Sequence, residues 1–177
     1  GDHAYAANVE GLLRFAHEGW APLGAAGARL LVIGRRPPRE VLALRALPGV
    51  EVLGYVDDLD ATLRDAAAAV VPLWRGAGIK MKTLVLMGAG LPVVGTPVAF
   101  EGIAATDGVD ARIAAAPPEL AAALRTVLGD RDAAAAMGRR AHALILGAHT
   151  WDAVGARFEA ALAAAVTRRG GGPAAGS

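Results

Sequence analysis

The sequence contains no cysteine, so it can build neither a disulfide framework nor a thiolate metal site, and it carries no mark of a redox compartment. Aromatic residues make up only 5% of the chain, which leaves few platforms on which bases could stack. Its 18 basic and 17 acidic residues leave a net charge of +1, and that gives no electrostatic footprint for nucleic acid. Long apolar runs are missing too, because charges and prolines interrupt every candidate before the ~18 residues a membrane span needs. The opening GDHAYAANVE is unlike a secretory leader, since Asp2, His3 and Asn8 stand where basic and apolar regions belong. His3, His17, His142 and His149 are scattered without ligand spacing, which predicts surface or capping histidines rather than a metal site. Together these absences predict a cytoplasmic protein with a small-molecule partner.

What is present fits one domain. The 177 residues are enough to bury a core, and the hydrophobic share of 54% is high, although much of it is alanine. Val9, Leu12, Leu13, Ala16 and Trp20 recur at three- and four-residue intervals, predicting a helix over residues 1–20 that Pro22 and the glycines at 24 and 27 end. Residues 28–34, ARLLVIG, read as a strand buried on both faces. A helix over residues 39–46, a strand over 50–54, a helix capped by Asp57 or Asp58 and a strand over 68–73 follow. After residues 75–102 come a turn-rich connection and a last short strand over 111–115. Three helices complete the chain, opened by Pro117 and Pro118, by Asp130 and by Thr150. The glycine-rich residues 170–177 read as a disordered tail behind a domain over 1–169.

Strands alternating with helices imply crossover connections, hence an α/β, Rossmann-like, doubly wound parallel sheet with a helical carboxyl-terminal segment. Ligands of such sheets sit beyond the carboxyl ends of the strands. Residues 34–36, 54–56, 73–78 and 96–102 lie at those ends. A strand would ordinarily precede the first helix, and the sequence shows none. The expectation is therefore that an amino-terminal part, or another segment, supplies it.

The most informative stretch is residues 75–102, RGAGIKMKTLVLMGAGLPVVGTPVAFEG. Gly76 and Gly78 allow backbone N–H groups to approach a phosphate, the following helix start adds unpaired donors and partial positive charge, and Lys80 and Lys82 supply full charges. The plainer reading makes the glycines a turn and the lysines the solvated edge of a helix. No dinucleotide fingerprint is present, because Gly76-Ala77-Gly78-Ile79-Lys80-Met81 lacks the third glycine, and neither a Walker loop nor a G-x-S-x-G elbow occurs.

Gly78-Ile79-Lys80-Met81-Lys82, followed by Leu84, Met87, Gly90-Leu91-Pro92-Val93-Val94, Thr96-Pro97 and Glu101-Gly102, resembles the donor-site segment of the group 1 (family 4) retaining glycosyltransferases. The usual form there is G-(T/I)-(R/K)-x-K-x-x-E-A-x-A-x-G-x-P-V-V-x-T. Tyr5, Asn8 and Val9 are similar to the family's Y-x-x-N-V, residues 31–34 to its V-I-V-G strand, Gly54-Tyr55-Val56 with Asp58 to its G-x-V-x-D turn, and Thr150-Trp151 to its S-W helix. The resemblance implies the donor-binding half of a GT-B enzyme, with the acceptor-binding amino-terminal domain missing. It implies that Gly76, Gly78, Lys80 and Lys82 hold the diphosphate of a nucleotide sugar, that Gly54, Tyr55 and Val56 meet the base edge, and that Glu101 and Gly102 lie near the sugar. Lys80, Lys82 and Glu101 would take part in the transfer. The nucleotide diphosphate sugar is then the substrate, and no cofactor or metal is implied. Val85 stands where the family has a glutamate credited with binding the ribose, and its apolar neighbours place it in the core. That replacement motivates a second reading, a non-catalytic module that uses the rim for protein contact. Glu101 has an alternative too, as the cap of a short helix after it, and Trp20, Trp74 and Trp151 read as packing residues, with Trp74 on the rim.

Overall fold

Short runs of valine, leucine and isoleucine, each closed by glycine or proline, form the strands, and the longer alanine-rich stretches between and after them form the helices. The computed structural model describes residues 1–170. Its strands are β1 (Leu30–Ile33), β2 (Val50–Gly54), β3 (Ala69–Val71), β4 (Val93–Gly95) and β5 (Arg112–Ile113). Every pairing is parallel, and each crossover passes through a helix or a turn-rich segment, as the alternation predicts. The helices are α1 (Ala6–Glu18), α2 (Ala21–Ala25), α3 (Arg39–Ala43), α4 (Leu59–Arg64), α5 (Met81–Gly88), α6 (Pro117–Gly129), α7 (Arg131–Ala148) and α8 (Trp151–Gly170). The tail expected over 170–177 lies, from residue 171 on, outside the described residues.

Local chemistry fixes most boundaries. Asp58 accepts the Ala61 N–H at 2.8 Å and Asp130 the Ala133 N–H at 3.0 Å, so both are the caps the sequence predicts. Glu119 accepts from the N–H groups of Ala115 and Ala116 at the head of α6. The first helix is shorter than expected. It ends at Glu18, and Pro22 sits inside the opening turn of the separate helix α2, where proline costs no hydrogen bond.

The parallel sheet comes in two parts, β1 with β2 and β3-β4-β5 in that order. Leu30 pairs with Val50 and Val32 with Val52, and the register then slips so that Ile33 faces Gly54. β4, with a strand on each side, is buried along its whole length. In β1 only Val32 is buried, which corrects the expectation of a strand covered on both faces. Leu30, Leu31 and Ile33 are only half-buried, in a part of the sheet that holds two strands among the described residues.

One core nonetheless joins the two parts. Phe15 and Trp20 from the amino-terminal helical region, Val32 and Val52 from the first part, Val94 from the second and Leu120 and Leu124 of α6 pack into a single cluster. A second cluster sets Val71 and Val93 against Met87 of α5, Phe100, and Ala141 and Ile145 of α7. α1 lies so close to the end of β3 that a Cβ at Gly11 would fall 1.9 Å from the Pro72 carbonyl oxygen. Only glycine permits that approach. Trp20 keeps its expected packing role and donates its indole N–H to the Pro48 carbonyl at 2.8 Å. Trp151 does not, being 92% exposed at the start of α8.

Candidate functional site

The glycines of residues 75–78 are there for backbone geometry. Gly76 has φ of 132° and Gly78 of 74°, both in the left-handed range that side-chain-bearing residues rarely enter. The loop they shape leads from β3 into α5. At its outer start Arg75 pairs with Glu10 of α1. Trp74, read as a packing residue on the rim, donates its indole N–H to the Ala115 carbonyl at 2.6 Å and carries the Arg14 guanidinium 4.5 Å above its ring. It packs; it does not offer a free ring.

α5 begins without a side-chain cap and without an acidic residue in its first turn. Lys80 occupies the N-cap position, and its carbonyl accepts from Thr83 at 2.8 Å and Leu84 at 3.2 Å. The N–H groups of Met81 and Lys82 have no acceptor among the described residues. A helix start of this kind presents donors and partial positive charge to an anion.

Neither lysine is the solvated helix edge of the plainer reading. The Lys80 side chain is 9% exposed, and its ammonium sits 3.0 Å from a Glu101 carboxylate oxygen while also donating to the Gly78 carbonyl. Lys82 donates to the Asn8 side-chain oxygen at 2.7 Å, and burial pushes its pKa below the ordinary lysine value of 10.5. No carboxylate among the described residues lies within ion-pair distance of Lys82. A partly buried ammonium without a counter-ion is stabilised by whatever anion arrives.

Beneath the lysines, buried hydroxyls lock the frame. Thr83 donates to the Ala99 carbonyl at 2.8 Å and Thr96 to the Leu73 carbonyl, so α5, the turn after β4 and the end of β3 are tied together. Thr96 was visible only as part of the motif match, and nothing singled out Thr83, whose one signal was a hydroxyl inside an otherwise apolar run. Asn8 was visible only as a motif match. Its side chain links two elements, because its amide also donates to the Asp2 carbonyl at 2.7 Å. The Asp2 carboxylate pairs with Arg36 and, at 3.6 Å, with Arg35. Arg36 and the Ala4 N–H hold that carboxyl below its usual range. His3, expected on the surface, is buried with its Nδ1 3.2 Å from the Arg35 carbonyl oxygen, and burial lowers its pKa.

The structure brings Gly78, Lys80, Glu101 and Gly102 to one place. A Cβ at Gly102 would come within 2.7 Å of Ile79, so the turn after β4 lies directly on the glycine loop. Glu101 follows a short 3₁₀ turn, Pro97–Phe100, rather than opening a helix, which overturns the capping alternative. Lys82 lies beside this group, on its Asn8 side. Gly54, Tyr55 and Val56 stand apart at the end of β2. Tyr55 is exposed, and among the described residues no hydrogen bond or ion pair joins these three to the loop. Val85 corrects another expectation, because it is 44% exposed on α5 while Thr83 and Met87 turn inward. Two clefts of the surface lie away from this group, one between Leu23 and Ala121 and the other around Trp20 and Pro48.

A family model described as glycosyl transferases group 1 matches residues 3–130 of this chain. The chain belongs to the group 1 glycosyltransferases. Solved structures of similar fold include a complex of S. aureus TarM with fondaparinux, alpha-GlcNAc-glycerol and UDP, at a TM-score of 0.75 and 12% identity over 89% of this chain and 33% of that one. WaaG, described as a glycosyltransferase involved in lipopolysaccharide biosynthesis, superposes with a TM-score of 0.63 at 22% identity, over 86% of this chain and 42% of its own. Sucrose-phosphate synthase from Thermosynechococcus elongatus gives 0.64 at 20% identity, over 85% and 44%. At these identities the likeness shows the GT-B, Rossmann-like fold. This group 1 chain spans between a third and a half of the length of those chains. A comparison with curated proteins finds no match. Among the described residues of this glycosyltransferase chain, no helix is long and apolar enough to cross a membrane.

Proposed function

We propose that this chain is the nucleotide-sugar-binding part of a retaining group 1 glycosyltransferase, and that the head of α5 holds the diphosphate of the donor. The observation that carries the reading is Lys82, a partly buried ammonium with no carboxylate partner beside an uncapped helix start. In the transfer, the bond between the sugar and the nucleoside diphosphate breaks and negative charge grows on the departing phosphate. Donors already aimed at that position stabilise the growing charge without reorganising. The free N–H groups of Met81 and Lys82 and the Lys82 ammonium are such donors.

Lys80 joins by exchange. Its ammonium is held by Glu101 at 3.0 Å, and the entering diphosphate takes over from that carboxylate. Glu101, more than half exposed, is then free to turn toward the sugar next to Gly102. Gly54, Tyr55 and Val56 form the edge that meets the base, and a partner amino-terminal domain would bring the acceptor and close over the rim. UDP, bound in the TarM complex, is a natural first nucleotide to try, and the reaction as drawn uses no metal.

The second reading, a non-catalytic module, is favoured by Val85. It is exposed on the same helix, where an apolar side chain cannot accept a ribose hydroxyl. Calorimetric titration with UDP, GDP and ADP separates the two. The transferase reading expects saturable binding of one nucleoside diphosphate, weakened by about 1–3 kcal/mol in both Lys80→Ala and Lys82→Ala while the melting temperature is retained. Equal binding by the wild type and both variants would sink the diphosphate assignment. Silence with every nucleotide would favour the module.

A further inference from the structure

The head of α5 sets an apolar face beside its charged one. Met81 and Val85, four residues apart, are the exposed residues of this helix, while Thr83 and Met87 turn inward. Met81 is 68% exposed, and Ile79 in the loop just before it is exposed as well. Polar side chains ordinarily occupy the outer face of a surface helix. Large apolar side chains left bare next to the Lys82 ammonium suit a ligand with one anionic part and one apolar part.

Val85 lies three residues on from Lys82 and four from Met81, and side chains at those separations are neighbours on a helix surface. In a nucleoside diphosphate held at this helix start, the ribose is joined to the phosphate through its 5′ carbon, so it lies within about 5 Å of that phosphate, close to one helical turn. The base occupies the 1′ carbon. Only the edge with the 2′ and 3′ carbons is left for the protein to read, and along α5 that edge has Met81 and Val85 to meet.

No side chain of α5 offers that edge an acceptor. Apart from Lys82 the helix has one polar residue, Thr83, which is buried and donates to the Ala99 carbonyl. Asn8 is engaged at both ends, its oxygen by Lys82 and its amide by the Asp2 carbonyl. The nearby carboxylates are paired with cations, Asp2 with Arg36, Glu10 with Arg75 and Glu101 with Lys80. A 2′ hydroxyl set against Val85 therefore gives up water and gains no partner, whereas a 2′ methylene gains an apolar contact.

We infer that the site takes a 2′-deoxyribonucleoside diphosphate whose deoxyribose rests on Val85 and Met81, so that the sugar donor belongs to the deoxyribonucleoside diphosphate sugars. This rests on the diphosphate reading of the α5 head and adds the class of nucleoside to it. Val85 is then a specificity residue: it gives the deoxyribose carbon an apolar neighbour and withholds a partner from a hydroxyl. The discrimination is modest, because an apolar wall rejects an added hydroxyl only weakly, whereas a hydrogen-bonding side chain at the same place would select the ribose strongly.

Calorimetric titration with matched pairs tests this, UDP with dUDP, GDP with dGDP and ADP with dADP, on the wild-type chain and on Val85→Gln. In the pair that binds best, the deoxy member is expected to bind the wild type about three- to tenfold more tightly. Val85→Gln brings an amide oxygen that accepts from a ribose hydroxyl, and it should reverse the order to about tenfold in favour of the ribonucleotide. The position is exposed and glutamine is a good helix former, so the melting temperature is retained. Val85→Ala, which removes the contact and adds no acceptor, weakens the deoxy member alone. Equal or tighter wild-type binding of the ribonucleotide, or an order that Val85→Gln leaves unchanged, overturns the inference while saturable binding upholds the diphosphate reading. Absence of saturable binding in all six titrations overturns both.

Discussion

The β3-β4-β5 part of the sheet and the β1-β2 part carry different shares of the site, and the difference follows from their surroundings. β4 has a strand on each side and faces both core clusters, Val93 against α5 and α7 and Val94 in the cluster with Phe15 and Leu120, so both are wholly buried. Along the end of this part the polar frame is already assembled, with Thr83 on Ala99, Thr96 on Leu73 and Lys80 on Glu101. Among the described residues β1 and β2 form a two-stranded part of their own, and at its end Tyr55 is exposed while Gly54 and Val56 are half-buried. Groups that handle charge must be held in place before the ligand arrives, because reorganising them costs what they would gain. The edge proposed to meet a base, at the end of β2, has no such requirement.

Unequal support should show first in stability. Met87→Ala, in the fully buried cluster, is expected to cost about 2–5 kcal/mol in chemical denaturation, against less than about 1 kcal/mol for Leu30→Ala on the half-exposed strand. Equal losses would erase the contrast. The next effect is electrostatic. Burial lowers the Lys82 pKa below 10.5, so between that lowered value and 10.5 the unfolded chain binds more protons than the folded one. Stability therefore rises with pH through that window, whereas diphosphate affinity falls there, because the anion needs the ammonium. Thermal melts and titrations at a series of alkaline pH values follow both trends, and in Lys82→Met both should vanish.

Smaller changes sharpen the comparison at the site itself. Glu101→Gln releases Lys80 from its exposed ion pair, and nucleoside diphosphate affinity is expected to rise by no more than about 1 kcal/mol, read by calorimetry. A fall would mean that Glu101 positions Lys80 instead of competing for it. Tyr55→Ala is expected to leave the melting temperature within about 0.5 kcal/mol of stability, since its ring is exposed, while changing the preference among UDP, GDP and ADP. Unchanged preference would remove the β2 end from the site.

Several of these features could be read before any fold was known. The strands at 30–33, 50–54 and 69–71 are apolar runs closed by glycine or followed by proline, and Asp58 and Asp130 cap the helices they precede. Gly76 and Gly78 read as a glycine loop, and both residues take positive φ there. Val85, Trp151 and His3 went the other way. Hydropathy places a valine and a tryptophan inside and a histidine outside, but which face of a helix meets the core depends on what packs against it. α5 buries Thr83 and Met87, leaving Val85 outward, and α8 leaves Trp151 bare at its first turn. His3 is inside because its backbone bond to Arg35 carries it there.

Sequence by itself determined the alternation of elements, the parallel class of the sheet, the helix caps and the location of the glycine loop and its two lysines at the strand ends. Each of these rests on interactions within a few residues or on a hydrophobic period. Only the tertiary structure decided that Lys82 is buried against Asn8, that Lys80 is held by Glu101, and that Gly1 bonds Ile33. Those facts join residues 74, 21 and, for Gly1 and Ile33, 32 positions apart. Burial and hydrogen bonding across such separations are set by packing, which no local pattern of side chains contains.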